Sequence, residues 1–198
     1  MRIIKTKFGS RYTFEVNQSM RERCLDFAHS IISSENQYNR LLNGQAARIQ
    51  RTYMGKIAEL VFLEWLNYKG IDVDTKGMFE IYEGQENVDS FDFIINGLSI
   101  DVKAAYRANH KNLLINKDQF ERLHKDIYVG IKLNAEDTDS TLKTCDLDSV
   151  TEGTIYGYAE YEFLKTKARY GNFTESYAYA YPLEKLLNID KLLRRVKQ

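Results

Sequence analysis

Excess charge of either sign is missing from this chain: 28 basic and 28 acidic residues leave a formal net charge of zero over 198 residues. A balanced total neither supports nor excludes a nucleic-acid partner, because local patches matter more than sums. Histidine is scarce. His29, His110 and His124 are scattered, with no H-x-x-x-H or H-E-x-x-H spacing, so a zinc hydrolase has no support. Cysteine is scarcer still: Cys24 and Cys145 stand far apart in no ligand-like spacing, and free thiols are expected. There is neither a Gly-rich phosphate loop nor a G-x-S-x-G elbow, which removes support for P-loop nucleotide hydrolysis and serine esterase chemistry. No apolar run reaches the length of about 18 residues that a membrane span needs. Met1–Lys7 carries no signal-peptide apolar core. The expectation is a globular cytoplasmic protein of one domain.

What is present is concentrated in Ser90–Lys103. Asn96-Gly97 lies between two alternating apolar runs, the strongest short-range signal for a two-residue hairpin turn. With that turn, Ile95 faces Leu98, Phe93 faces Ile100 and Asp92 faces Asp101. One face carries Phe91, Phe93, Ile95, Leu98, Ile100, Val102 and Ala104 and must be core. The other carries Ser90, Asp92, Ile94, Ser99, Asp101 and Lys103. Like charges directly across a ladder destabilise it, and a divalent cation between two such carboxylates removes the repulsion. Lys103 lies on the same face, two residues past Asp101. Two carboxylates and an ammonium on one patch are the parts of a metal-dependent phosphodiester hydrolase. Taken singly, D-x-K on a strand is more often a surface ion pair.

Along the rest of the chain, residues 2–16 alternate loosely and suggest one or two strands. Asn17 or Ser19 can cap a helix to about Ile32, and a second helix is expected over Gln37–Leu42. A third runs from about Ala46 to Tyr68 and stops at Gly70. It is apolar on most of its circumference, so it is buried on most sides. Glu59 and Glu64 both sit among its apolar neighbours, an expensive place for an unpaired carboxylate, and helical geometry alone does not choose between them. Gly55, one turn before Glu59, would allow close backbone approach. Ile71–Asp74 reads as a short strand, Asp118–Lys125 as a helix and Ile127–Leu133 as a buried strand. Residues 134–153 are polar and acidic and read as a loop. Ser176–Tyr181 reads as a strand and Glu184–Val196 as a terminal helix. The tyrosines from Tyr156 to Tyr181 are able to stack on bases, but an alternating Tyr/Ala strand is more often half-buried sheet.

Asp92 followed by Asp101-Val102-Lys103 resembles the PD-(D/E)xK nuclease superfamily, the restriction-endonuclease-like fold, with Phe91 in place of the frequent proline. Gly55-Lys56-Ile57-Ala58-Glu59 resembles the helix that brings a further glutamate to the metal. Asn116–Phe120 and Asp126–Lys132 resemble the closing helix and strand. The likeness covers about residues 52–133. It implies a mixed α/β fold: a central mixed sheet with an αβββαβ core at about 46–133, an N-terminal helical extension over 1–45 and a C-terminal extension over 134–198. It also implies a Mg²⁺ site, with Mn²⁺ as substitute, held by Asp92, Asp101, the Val102 carbonyl and Glu59, the last favoured over Glu64 by the family pattern. Lys103 would position the attacking water, and Gln119 would face the site. The basic cluster after the site strand, Lys103, Arg107, His110 and Lys111, is the candidate grip on backbone phosphate. The implied activity is a DNA endonuclease, with RNA as alternative substrate, a homodimer where both strands are cut, and no membrane. The alternative is a nuclease fold that binds nucleic acid or a protein without cleaving.

Overall fold

The computed structural model describes residues 1–33, 44–80, 92–139, 144–173 and 176–196. The helix expected over Gln37–Leu42, and Asp89, Ser90 and Phe91 of the hairpin, lie outside them. Two strands open the chain, β1 (Arg2–Thr6) and β2 (Gly9–Glu15), followed by helices α1 (Gln18–Ser33) and α2 (Gln45–Tyr68). The hairpin is β3 (Phe93–Ile95) and β4 (Leu98–Ala105); then come β5 (Asn112–Asn116), α3 (Lys117–Glu121) and β6 (Ile127–Leu133). The remainder is β7 (Glu136–Asp139), β8 (Thr144–Asp146), β9 (Glu152–Glu160), α4 (Tyr161–Lys167), β10 (Arg169–Asn172), β11 (Tyr177–Pro182) and α5 (Leu193–Val196).

The fold is mixed α/β. Six strands form a central sheet in the order β1-β2-β9-β6-β4-β3; β10-β11-β5 make a second sheet and β7-β8 a small ribbon. In the central sheet β4 runs parallel to β6 and the other neighbours are antiparallel. One face carries Ile100, Val102, Ile127, Val129 and Ile131 against Ile57, Val61, Phe62 and Trp65 of α2. The opposite face carries Ala105, Tyr128 and Ala159, packed with Leu113 and Ile115 of β5 and Phe120 of α3. The sheet therefore separates two apolar layers, and each side chain of β4 belongs to one or the other by alternation.

Local chemistry explains the ends of these elements. The Asn17 carboxamide accepts from the Met20 amide at 3.0 Å and caps α1. After α2, Gly70 takes φ 68°, and the Ile71 and Gly70 amides donate to the Leu66 and Asn67 carbonyls at 2.9 and 3.0 Å, the paired closure that a left-handed glycine permits. Asn96 and Gly97 have φ of 49° and 77°, and the hairpin register is Phe93↔Ile100 and Ile95↔Leu98, as the turn dipeptide required.

Several expectations need correction. Ile71–Asp74 is not a strand: Ile71 turns into the α2 layer, and the Asp74 carboxylate accepts from the Lys76 amide at 3.0 Å, opening a 3₁₀ turn instead. No strand is expected over Asn112–Asn116; β5 forms there and pairs with β11 rather than in the central sheet. Helix α3 stops at Glu121. Residues 134–153 are not all loop, since β7 and β8 pair there. The terminal segment is two 3₁₀ turns, Leu183–Lys185 and Ile189–Lys191, before the short α5. Leu183, Leu186, Ile189 and Leu192 are all buried, an apolar period of three that suits the 3₁₀ turn and not the α-helix.

Candidate active site

Strand β4 is fixed at its start by Asp126, whose carboxylate accepts from the Ser99 amide and hydroxyl at 2.8 and 2.7 Å. From that anchor Asp101, Lys103 and Ala105 alternate onto the second-sheet side, while Ile100 and Val102 face α2. The Lys103 ammonium lies 2.6 Å from Asp101 Oδ2 and donates to Gln119 Oε1 at 3.4 Å. Gln119 is held there by α3, whose first turn is capped by the Asn116 carboxamide.

Asp92 does not continue the ladder to face Asp101. Its amide donates to the Ile100 carbonyl at 3.1 Å, one residue out of register, and its carboxylate accepts from the Val102 amide at 2.6 Å. A side chain thus satisfies the strand edge where β3 ends, and the two aspartates avoid the direct opposition that would destabilise the pair. The N–H and C=O of one strand residue share an edge, so the Val102 carbonyl also faces the Asp92 side.

Glu59 comes from α2. It is buried at 7% exposure whereas Glu64 is exposed. Glu59 is ion-paired at 2.7 Å with Lys56, also buried, whose ammonium lies 5.2 Å from the centre of the Phe27 ring. Lys56 is the residue that sequence reasoning overlooked; its i,i+3 spacing to Glu59 was the available signal. Gly55 makes no close approach: a methyl group there would meet nothing within 4 Å among the described residues.

The acids converge electrostatically on Asp92. Burial first, then the charges of Glu59 and Asp101, hold its carboxyl well above the usual carboxylate range, against the pull of Lys103 and the Val102 amide. Among the described residues no three His, Cys, Asp or Glu side chains stand close enough together to hold a metal as they are. Glu59 is paired with Lys56, Asp101 with Lys103, and Asp92 with the Val102 amide. The donor set of carboxylate and carbonyl oxygens nevertheless fits a hard divalent cation, which would relieve the mutual repulsion at Asp92.

The proposed phosphate grips are placed unequally. Arg107 is largely buried and its Nε lies 3.8 Å from Asp137 Oδ1, while Lys111 is exposed. The carbonyls of Arg107 and His110 both accept from the Lys132 ammonium. The His110 ring packs edge-on against Tyr106 at 5.2 Å, and burial, helped by the Lys132 and Arg107 charges, lowers its pKa to about 4. His110 is therefore neutral near pH 7 and no cation for phosphate. Cys24 and Cys145 are both buried free thiols; burial, with the Glu59 charge next, pushes Cys24 up to about 12. Among the described residues no helix is long and apolar enough to cross a membrane.

No family model matches the chain, and neither a curated protein nor a solved structure matches it.

Proposed function

We propose that this protein is a metal-dependent nuclease that hydrolyses phosphodiester bonds, most simply a DNA endonuclease. The observation that carries the reading is the Asp92 carboxyl at the broken edge of the hairpin, bonded to the Val102 amide at 2.6 Å and bearing the charges of both Glu59 and Asp101. Burial and the charges of Glu59 and Asp101 outweigh Lys103 and the Val102 amide there, so a further positive charge beside Asp92 would favour its ionised form.

Asp92, Asp101, Glu59 and the Val102 carbonyl would hold Mg²⁺ or Mn²⁺. When bound, such a cation polarises the phosphate and makes water more acidic. Lys103 supplies the remaining positive charge. Its ammonium, steadied by Asp101 and Gln119, orients the attacking water or stabilises charge developing on phosphate oxygen. Exposed Lys111 offers a contact to backbone phosphate. The setting proposed is the cytoplasm, where two buried thiols stay reduced, and a homodimer serves where both strands of a duplex are cut.

Supercoiled plasmid, end-labelled linear DNA and RNA are incubated with Mg²⁺, Mn²⁺ or EDTA. Wild type cleaves only with metal. Lys103→Ala retains DNA binding but loses turnover by about 10²-fold or more, and Asp101→Ala loses the metal-dependent rise in melting temperature. Wild-type cleavage by both variants would show the assignment to be wrong.

A second reading is favoured by the ion pairs Glu59–Lys56 and Asp101–Lys103, which already neutralise two of the acids: a protein that binds nucleic acid or a partner without cutting. It predicts no metal-dependent shift in melting temperature and no cleavage with any of these substrates.

A further inference from the structure

The tyrosines of the C-terminal third divide sharply by environment. Tyr158 is buried at 4%, whereas Tyr170 and Tyr177 expose 45% and 56% of their surface. These two rings stack on each other, with centroids 5.4 Å apart and planes 18° from parallel. Tyr170 also packs on Tyr179 at 5.1 Å, and Tyr179 stacks on Phe120 at 4.0 Å. The aromatic run thus begins inside the second apolar layer and emerges into solvent at the β10–β11 end.

Its position matters as much as its exposure. Phe120 adjoins Gln119 on α3, and Gln119 is the residue that receives the Lys103 ammonium. Tyr170↔Tyr179↔Ile115 lie across one row of the second sheet, so the exposed pair shares the face of Ile115 and Phe120. One short helix therefore carries the contact to the candidate catalytic lysine and the inner end of the aromatic run. Arg169, the residue before Tyr170, alternates onto the opposite face of β10, where its guanidinium lies 4.8 Å from the Phe173 ring, while the Tyr179 hydroxyl donates to Glu121 at 3.0 Å. A pair that only stabilised the sheet would gain by burying its rings, but here about half of each residue remains in water.

We infer that this aromatic run is a stacking platform for unpaired nucleobases, leading a single-stranded or frayed segment of nucleic acid towards Lys103. The inference rests on the nuclease reading for its direction, but not for its binding chemistry. Aromatic rings stack on bases of any identity. The substrate class is thus nucleic acid with unpaired nucleotides next to the scissile bond, rather than continuous duplex.

The test uses the full chain in EDTA, where binding is separated from cleavage. Oligonucleotides carrying 2-aminopurine are compared as single strand, as duplex with a single-stranded overhang and as blunt duplex. Wild type is expected to quench the unpaired fluorophore and to prefer the overhang over blunt duplex by about fivefold or more for each stacked base. Tyr170→Ala/Tyr177→Ala should lose both quenching and preference while keeping its melting temperature, and the double Phe variant should retain them. Equal affinity of wild type for overhang and blunt duplex overturns the proposal, as does an unchanged preference in the double Ala variant. A preference without cleavage under Mg²⁺ would sink the nuclease reading and leave the platform standing. Cleavage without a preference would do the reverse.

Discussion

At Asp92 the fold makes the charged carboxylate costly. Burial and the charges of Glu59 and Asp101 raise its pKa. The unfolded chain releases this proton near pH 3.9, the ordinary value. Between that pH and the raised folded value, the unfolded state binds fewer protons, so stability falls as pH rises. Asp92→Asn keeps an oxygen for the Val102 amide and cannot ionise. Its metal-free melting temperature should therefore exceed wild type at pH 7, at about 2–4 °C for each kcal/mol in a chain of this size. The gain should vanish as pH approaches 4. Calorimetry in EDTA from pH 4 to 8 decides it, and a lower melting temperature at pH 7 would remove the electrostatic account. His110 has the opposite sign. With its pKa lowered to about 4, its contribution is complete above about 6.5 and is lost as pH falls towards 4. An NMR titration of His110 with a midpoint near 6.5 would contradict its burial.

At the scale of elements, what was legible depended on whether the signal was local. The Asn96-Gly97 turn, the Asn17 cap and the Gly70 stop are short-range chemistry, and β3, β4, α1 and α2 follow from them. Strand β9 was not legible, because its residues answer to distant neighbours. It carries Gly153 and Gly157, which weaken a strand pattern. Yet a side chain at Gly153 would meet Val61 of α2 at 2.6 Å, and at Gly157, where φ is 154°, it would run into the Leu187 carbonyl. That approach lets Leu187 exchange backbone bonds with Tyr158 at 2.9 and 3.0 Å. Gly157→Ala should destabilise the protein by more than about 2 kcal/mol, from backbone strain and overpacking together. Gly55→Ala, facing open space in α2, should instead stabilise by about 0.5–1 kcal/mol. Urea unfolding of the two variants is a matched test, and equal midpoints would show that packing at Leu187 does not matter.

For the whole molecule, the central sheet draws on both ends of the chain as well as on the expected core: β1, β2 and β9 stand in it beside β6, β4 and β3. Within the candidate site, the hairpin turn and the shared face of Asp101 and Lys103 could be read from local spacing, but the side-chain bond that takes Asp92 out of register could not. That Glu59 is buried and Glu64 exposed, and which tyrosines are buried, only the assembled layers determine. The segment after β11 joins those layers. Leu183 and Leu186 enter the second-sheet side, while Ile189, Leu192 and Val196 enter the α2 side. Asp190 lies 2.9 Å from Lys69 and accepts from Tyr12 at 2.7 Å, and the Asn96 side chain at the hairpin turn donates to the Val196 carbonyl. The end of the chain therefore braces the turn that sets Asp92 and Asp101. Burial of five large apolar side chains contributes about 1.5–3 kcal/mol each, against a net stability of about 5–15 kcal/mol for a typical protein. Deletion of residues 183–198 should abolish cooperative unfolding and any metal-dependent stabilisation. If the truncated chain gives a sharp urea transition at the wild-type midpoint, the terminal segment is only an appendage and the hairpin geometry is set by β4 and β6 without it.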